Sequence, residues 1–324
     1  MSRPTIKDVA KLSGYGVGTV SRVISNDKSV SDKARRTILA AIEQLHFIPN
    51  INGVRLKRQY SQIIAILVPV INHPFFAEFV EELEHEALKK DYSLLLLTSQ
   101  NSVEKENEIF LKIKRKEIDG AIFVTHYEHN IDQFKGYHLV SIDRHLSDDI
   151  PIITSNNYEA SYQAIEQLVL SGAKKIGFIG GKPMVESEVN LRYQAYLDVI
   201  KKYQLQAYDL FEIIEHGNED QFADKFINLY PDVDAIFVSG FTLSEFVYHK
   251  FKQKGVKFPD DKQLVSYDGS FSKVGYCTIS AIAQPIKEMA KEAFNTLYKL
   301  IHGESVEKYK NIIDCHFIKG ETTK

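Results

Sequence analysis

Two groups of residues in this 324-residue chain are of types that carry out recognition chemistry. The first is packed into the stretch GYGVGTVSRVI, residues 14–24. Arg22 can fork onto the O6 and N7 atoms of guanine, and the hydroxyls of Thr19 and Ser21 can reach phosphates or base edges. The second group runs from residue 72 to residue 268, and its members share a context. Asn72, Phe75 and Phe76 follow the apolar run IIAILVPV, and Asp143 and Arg144 follow LVSI. Phe241 follows AIFVSG, Asp268 follows LVSY, and Arg192 opens a helix after KIGFIGG. Carboxylates and arginines bind sugar hydroxyls in bidentate pairs, and aromatic rings cover the apolar faces of the sugar. Arg192 and Asp268 would then hold ligand hydroxyls from opposite sides of a cleft.

Helices must position the first group. Gly14, Gly16 and Gly18 could suggest a phosphate loop, but a dinucleotide fingerprint needs a strand before its glycines. Here a helix precedes them. Thr5 and Asp8 resemble a capping box, and Ile6, Val9 and Ala10 recur at helical spacing. Gly14 ends that helix. A second helix from about Val17 presents Val17, Gly18, Ser21 and Arg22 and buries Val20, Val23 and Ile24. Ser31 caps a third, whose apolar stripe is Ala34, Ile38, Ala41, Ile42 and Leu45. Three short helices joined by tight turns fit a helix-turn-helix head. Charge supports this. Residues 1–60 hold eleven Lys/Arg against four Asp/Glu, a net +7, whereas the remainder carries −10. A basic head on an acidic body suggests that the head meets a polyanion.

The second group needs sheets. Beyond residue 62 the runs 63–70, 94–99, 120–125, 139–143, 175–181, 212–217, 235–240 and 264–269 alternate with amphipathic segments such as PFFAEFVEELEHEALKK. Short buried strands alternating with helices predict parallel sheets covered on both faces. There are too many for one small sheet, so two lobes with a ligand between them are expected. Ligands in such sheets sit beyond the carboxyl ends of the strands. The fold class is therefore a small all-α helix-turn-helix head plus an α/β body of two parallel-sheet lobes.

Several functions find no support. No run of eighteen apolar residues predicts a membrane span, and the N-terminal residues lack a signal-peptide core, so a cytoplasmic protein is expected. Cys277 and Cys315 have no metal-like spacing, and His126 and His129 lack an evident third ligand. No nucleophile elbow, P-loop or HExxH motif is present, so no cofactor, metal or enzyme activity is expected. The acidic helix carrying Glu81, Glu82, Glu84 and Glu86 predicts a solvated face, with one edge at a dimer interface.

The segments TIKDVAKLSG, TVSRVI, VSDKARRTILAAIEQLHFIPN and RLKR resemble the lactose and galactose repressor family, and in outline the likeness extends over the whole chain. It implies a DNA-binding domain at 1–49, a hinge helix at 50–61 and a body at 62–324 of two periplasmic-binding-protein-like lobes. The first lobe would comprise about 62–157 and 285–312, and the second about 158–284 and 313–324. Crossovers would fall near Asn156–Asn157, Gln284–Pro285 and a strand at 311–318. The DNA contacts it implies are Thr5, Tyr15, Val17, Gly18, Thr19, Ser21, Arg22, Ser29, Asn50, Gly53 and Leu56. Two paired hinges would form helices on DNA, and Leu56 would wedge into a minor-groove step. Gly53 stands where the family usually has alanine, which frays that helix off DNA. Tyr15-Gly16 replaces the usual Val-Ser, and Val17 and Gly18 offer almost no hydrogen bonding, so an unusual operator is expected, with a contribution from Tyr15.

In the body the resemblance matches Phe75, Phe76, Asp143, Arg192 and Asp268 to effector-contacting positions, while Gly240-Phe241 replaces the usual Asn-Asp. It implies a homodimeric repressor of a carbohydrate operon, gated by a small sugar. SYDGS and NNYEAS look like sucrose-operon repressors. Without leucine heptads, a coiled-coil tetramer is not expected. The rivals are a regulator using a phosphorylated carrier protein as co-repressor, an α/β sugar-processing enzyme, and a sugar-transport protein.

Overall fold

The computed structural model describes residues 4–48, 60–100, 102–124, 130, 135–214, 217–269 and 278–324. Asn50, Gly53 and Leu56 of the expected hinge lie outside these residues, as do His126, His129 and Cys277. The chain divides into two compact units, Met1–Ser61 and Gln62–Lys324.

Three helices form the first unit: α1 (Ile6–Ser13), α2 (Val17–Ile24) and α3 (Asp32–Gln44). The Thr5 N–H and hydroxyl both donate to the Asp8 carboxylate, at 2.8 and 2.7 Å, and hold that carboxyl below its ordinary range. Gly14 closes α1 in the left-handed region, φ +74°, and its N–H donates to the Ala10 carbonyl. An L side chain would be strained there. The Ser31 hydroxyl accepts the Ala34 N–H at 3.4 Å at the start of α3. Val9, Val20, Val23, Ile38 and Ala41 make the core.

The second unit carries two six-stranded sheets. The first contains β1 (Ile63–Val68), β2 (Ser93–Thr98), β3 (Gly120–Phe123), β4 (Leu139–Ile142), β5 (Ile152–Ser155) and a late strand, β11 (Lys310–Ile313). Its order is β11-β5-β4-β3-β1-β2, parallel throughout. The second contains β6 (Ile176–Gly181), β7 (Tyr208–Glu212), β8 (Ala235–Val238), β9 (Gln263–Tyr267), β10 (Ser280–Ala283) and β12 (His316–Ile318). Its order is β12-β10-β9-β8-β6-β7, with only β12 antiparallel.

Helices cover both faces of each sheet. In the first lobe Ile64, Ile66 and Val68 point to α4 (Pro74–Leu88) and α10 (Ile286–Ile301), while Ala65 and Leu67 point to α5 (Val103–Lys114). In the second, α6 (Asn157–Leu170) and α7 (Asn190–Lys202) cover one face, and α8 (Glu219–Leu229) and α9 (Phe241–Gln253) the other. This two-sided burial is why the strands read as continuous apolar runs. No helix among the described residues is long and apolar enough to cross a membrane.

Three expectations need correction. The strand expected at 212–217 lies at 208–212. It is an edge strand, paired only with β6, so its half-exposed sequence YDLFE carries a weaker apolar signal than the EIIEHG that follows. The strand expected at 311–318 is two short strands, one in each sheet, with Asp314 and Cys315 between them. On α4, Glu86 is buried and paired with Lys89 at 2.6 Å, although Glu81 and Glu84 are exposed.

Candidate nucleic-acid and ligand sites

In the first unit, α2 buries Val20 and Val23 and leaves Val17, Gly18 and Arg22 exposed, with Thr19 and Ser21 half-buried beside them. One helical face thus presents the residues expected to meet DNA. Tyr15 is half-buried and packs against the three-helix core, so part of its ring serves packing. Thr5 is occupied in capping α1. Ser29 is exposed, and its backbone N–H donates to Asp27 at 2.9 Å, the largest cause of the lowered Asp27 pKa. Arg35 is tied to Asn26 and to the Asp27 carbonyl, which makes it a brace for the turn before α3.

The candidate ligand site of the second unit is assembled around the lobe crossovers. Asn156 donates to Asp314 at 3.0 Å and accepts the Cys315 N–H at 2.8 Å, which binds two crossovers together. Ser155 meets Gln284 at 3.0 Å and the Tyr267 hydroxyl at 2.8 Å, which ties in the third. Gln284 then donates to the Asp268 carboxylate at 2.6 Å.

On this lattice lies Arg192, in the first turn of α7 and only 4% exposed. Its Nε donates to Asn157 at 2.7 Å, and its guanidinium carbon stands 3.4 Å from the centroid of the Tyr267 ring. Stacking and a directed hydrogen bond fix the plane of the fork. Burial raises the Tyr267 phenol well above its ordinary range. Burial also raises the Asp268 carboxyl, opposed by the Arg192 charge, the Gln284 hydrogen bond and His73.

Arg192 and Asp268 both belong to the second lobe. The expectation that they hold a ligand from opposite sides is therefore corrected: the β6–α7 and β9 segments rise from the same sheet. Three residues of the first lobe reach them electrostatically: His73, just before α4, acts with both, Asp143 acts on Asp268, and Arg144 feels Arg192. His73 Nδ1 is buried without a hydrogen-bond partner among the described residues, as are Asn190 Oδ1 at the start of α7 and Ser239 Oγ just after β8. These three atoms, and the roles of Asn157, Tyr267 and Gln284, were not read from the sequence. Asn190 and Ser239 did follow apolar runs, which was the available signal.

The other expected positions separate. Phe76 is half-buried, with its ring 5.0 Å from that of His73, whereas Phe75 belongs to the first lobe's core and stacks on Phe79 at 5.9 Å. Asn72 is exposed, and Phe241 is half-buried at the start of α9. Asp143 accepts the Thr154 hydroxyl at 2.6 Å, and its carbonyl accepts the Ser187 hydroxyl and the Glu188 N–H, each at 3.0 Å. Arg144 forms an isolated β-bridge with Ser187, and Lys310 pairs with Glu188 at 2.8 Å. Asp143 and Arg144 thus anchor a strap from the second lobe. Burial pushes the Arg144 guanidinium down to about 10. A separate groove of about 290 Å³ lies between α6 and residues 315–317 and contains none of the expected site residues. Among the described residues no three His, Cys, Asp or Glu side chains gather as a metal site requires.

A basic helical head with an exposed recognition face, and a two-lobed body whose polar groups converge at the strand ends, define a ligand-responsive DNA-binding protein. The chain belongs to the LacI family of bacterial regulatory proteins. Residues 5–50 match "Bacterial regulatory proteins, lacI family", and residues 61–321 match "Periplasmic binding proteins and sugar binding domain of LacI family". It is similar to the NTD biosynthesis operon regulator NtdR of Bacillus subtilis (strain 168), 32% identical over 93% of this chain and 94% of the relative. It is also similar to the sucrose operon repressor of Pediococcus pentosaceus, 28% identical over 99% of this chain and 99% of the relative. The lac repressor dimer bound to operator and the anti-inducer ONPF shares its fold, with a TM-score of 0.84 over 99% of each chain at 20% identity. This chain is a sequence-specific DNA-binding transcriptional regulator and not an enzyme.

Proposed function

We propose that the chain is a homodimeric repressor of a carbohydrate operon, acting at the nucleoid, whose operator affinity is set by a small sugar held between its two lobes. One observation carries the ligand reading: His73 Nδ1, Asn190 Oδ1 and Ser239 Oγ are buried without hydrogen-bond partners among the described residues, and two of them adjoin the segments that carry Arg192 and Asp268. Buried polar atoms are nearly always hydrogen-bonded, so such atoms call for a ligand rich in hydroxyls. Phe76 offers a ring for the apolar face of a sugar. The names of relatives such as the sucrose operon repressor support the same class.

In this reading α2 enters the major groove, with Thr5, Tyr15, Val17, Gly18, Thr19, Ser21, Arg22 and Ser29 at the interface. The segment containing Asn50, Gly53 and Leu56 serves as the hinge. A second copy is supported by Leu94 to Leu97, half-exposed on the edge strand β2, together with Ile71 and Leu88, which are more than half exposed.

The test is a sugar panel read in two ways. A ligand that binds the folded state raises thermal stability. The same sugar should change the affinity for operator DNA, with about 1–3 kcal/mol of coupling. A panel in which no sugar does either would remove the carbohydrate reading and leave the DNA-binding assignment in place.

A further inference from the structure

His73 stands where the first sheet hands the chain to α4. Its carbonyl accepts the Ala77 N–H at 3.0 Å, Pro74 begins the helix, and its ring packs beside Phe76. These contacts hold the imidazole without using its Nδ1. A buried polar atom left unsatisfied is destabilising, so something normally meets it. The charged groups that act on His73 among the described residues come from the other lobe: Asp268 after β9 and Arg192 on α7. His73 is thus a first-lobe side chain directed at the second lobe's binding groups. In the first lobe Phe75 is in the core and Asn72 is exposed; Asp143 and Arg144 also interact with Asp268 and Arg192, but Asp143 is engaged by Thr154 and both hold the strap.

Resting on the effector reading above, we propose that His73 is the residue through which the first lobe hydrogen-bonds the sugar. It does so only as neutral imidazole, so the effector response weakens as the medium turns acid.

The chemistry follows from the two forms of the ring. Neutral imidazole has one N–H and one lone pair, which suits a hydroxyl, itself both donor and acceptor. Imidazolium has only donors, and it brings a second positive charge toward Arg192. Burial already holds His73 below its ordinary value of 6.5; Asp268 works against that shift, and Arg192 adds to it. A sugar lying against the ring removes more water and disfavours the charged form further. The sugar-bound state therefore takes up a proton less readily than the free state. Affinity is complete above the free-state pKa and falls as pH drops through it, by at most about tenfold per pH unit.

The experiment titrates sucrose, ribose, glucose and cellobiose into the full chain by calorimetry between about pH 5 and pH 8. It uses the unaltered protein, His73→Asn and His73→Leu. For any of these sugars that binds, affinity of the unaltered protein should hold between pH 8 and pH 7 and fall increasingly toward pH 5, by no more than about tenfold per pH unit. His73→Asn keeps a non-titrating hydrogen-bonding group, so it should still bind and lose that fall. His73→Leu should bind about tenfold more weakly at pH 7, the loss of one buried hydrogen bond. His73 also acts on the Asp268 carboxyl, so the three titrations are repeated with Asp268→Asn, where the difference between their profiles belongs to His73. If the unaltered protein and His73→Asn give the same profile, the inference is overturned and the carbohydrate reading stands. If none of the four sugars binds the unaltered protein, both fall.

Discussion

Asp143 and Asp268 are counterparts. Each follows the strand third from the crossover edge of its sheet, β4 in one lobe and β9 in the other. Each adopts a left-handed backbone, φ +56° and +67°, which aspartate tolerates better than most side chains. Their uses differ. Asp143 is taken up by Thr154 in its own lobe and by Ser187 and Glu188 of the strap. Asp268 receives Gln284 from a crossover and lies in the field of Arg192. The same backbone device thus serves as a structural anchor in the first lobe and as a proposed binding group in the second. The second lobe holds Arg192 and Asp268 in place through Asn157, Tyr267 and Gln284, whereas in the first lobe Asp143 and Arg144 are engaged with the strap and His73 and Phe76 remain. Preorganised groups lose less freedom on binding, so the second lobe should carry most of the affinity.

Arg192 tests that asymmetry most severely. Arg192→Ala should weaken sugar binding on the order of 100-fold, because a charged hydrogen bond contributes about 1.5–3 kcal/mol. Arg192→Lys should not restore it, since a lysine can neither fork nor stack flat on Tyr267. Operator affinity without sugar should stay within about threefold, because the head carries the phosphate contacts. Titration of sugar into the operator complex reads both effects. An undiminished response in Arg192→Ala would remove the second lobe's leading role.

The two aspartates give the next largest contrast. Asparagine tolerates the left-handed backbone and keeps one acceptor oxygen, so substitution removes chiefly the charge. Asp268→Asn should lower sugar affinity about tenfold, and Asp143→Asn less than about threefold, by loss of a charge-assisted hydrogen bond in the first case only. Calorimetry on the two variants checks this. Equal losses would mean that both carboxylates meet the ligand, as the family resemblance alone implied.

Phenylalanine 75 and its neighbour divide the first lobe in the same way. Phe75→Leu should cost about 1 kcal/mol of stability and leave sugar affinity unchanged, being a near-volume swap inside the core. Phe76→Leu should spare stability and weaken sugar binding about threefold, through loss of an aromatic face. Thermal melts and calorimetry on both variants separate the roles, and an exchange of the two outcomes would break the assignment.

That pair also shows what a sequence can and cannot display. The head was legible because its signals are local: Thr5 and Asp8, Gly14 and Ser31 mark helix ends within a few residues. Most strands of the body were legible because two-sided burial writes them as apolar runs. Tyr208–Glu212 was displaced because an edge strand lacks that burial, and Ile152–Ser155 and Ser280–Ala283 do not stand out because Thr154 and Ser155 in one, and Ser280 with two alanines in the other, dilute the apolar run. Arg192 and Asp268 were legible as polar residues placed after strands. Phe75 and Phe76 could not be told apart, because neighbours in a helix face different ways only once the helix is docked. His73 escaped because its partners lie in another lobe, more than a hundred residues along the chain. Tyr267 and Gln284 escaped because Tyr267 reads as one more apolar strand residue and Gln284 as a loop amide.

Tyr267 supplies the finest test of preorganisation. Its ring lies under Arg192, while its hydroxyl bonds Ser155 at 2.8 Å and Cys315 at 3.3 Å, so one side chain joins the binding arginine to two crossovers. Tyr267→Phe keeps the ring and deletes the hydroxyl. Ser155 retains Gln284, so no buried group is orphaned by the change. The cost in stability should then be about 1 kcal/mol or less, the net worth of a neutral hydrogen bond. Sugar affinity should change by less than about twofold if the stack alone orients Arg192. The hydroxyl would matter instead for the linkage between lobes, and its loss should reduce the sugar-induced change in operator affinity more than it reduces sugar binding itself. A fall in sugar affinity larger than the fall in coupling would place the hydroxyl within the binding site and leave the crossover lattice without a part in transmission.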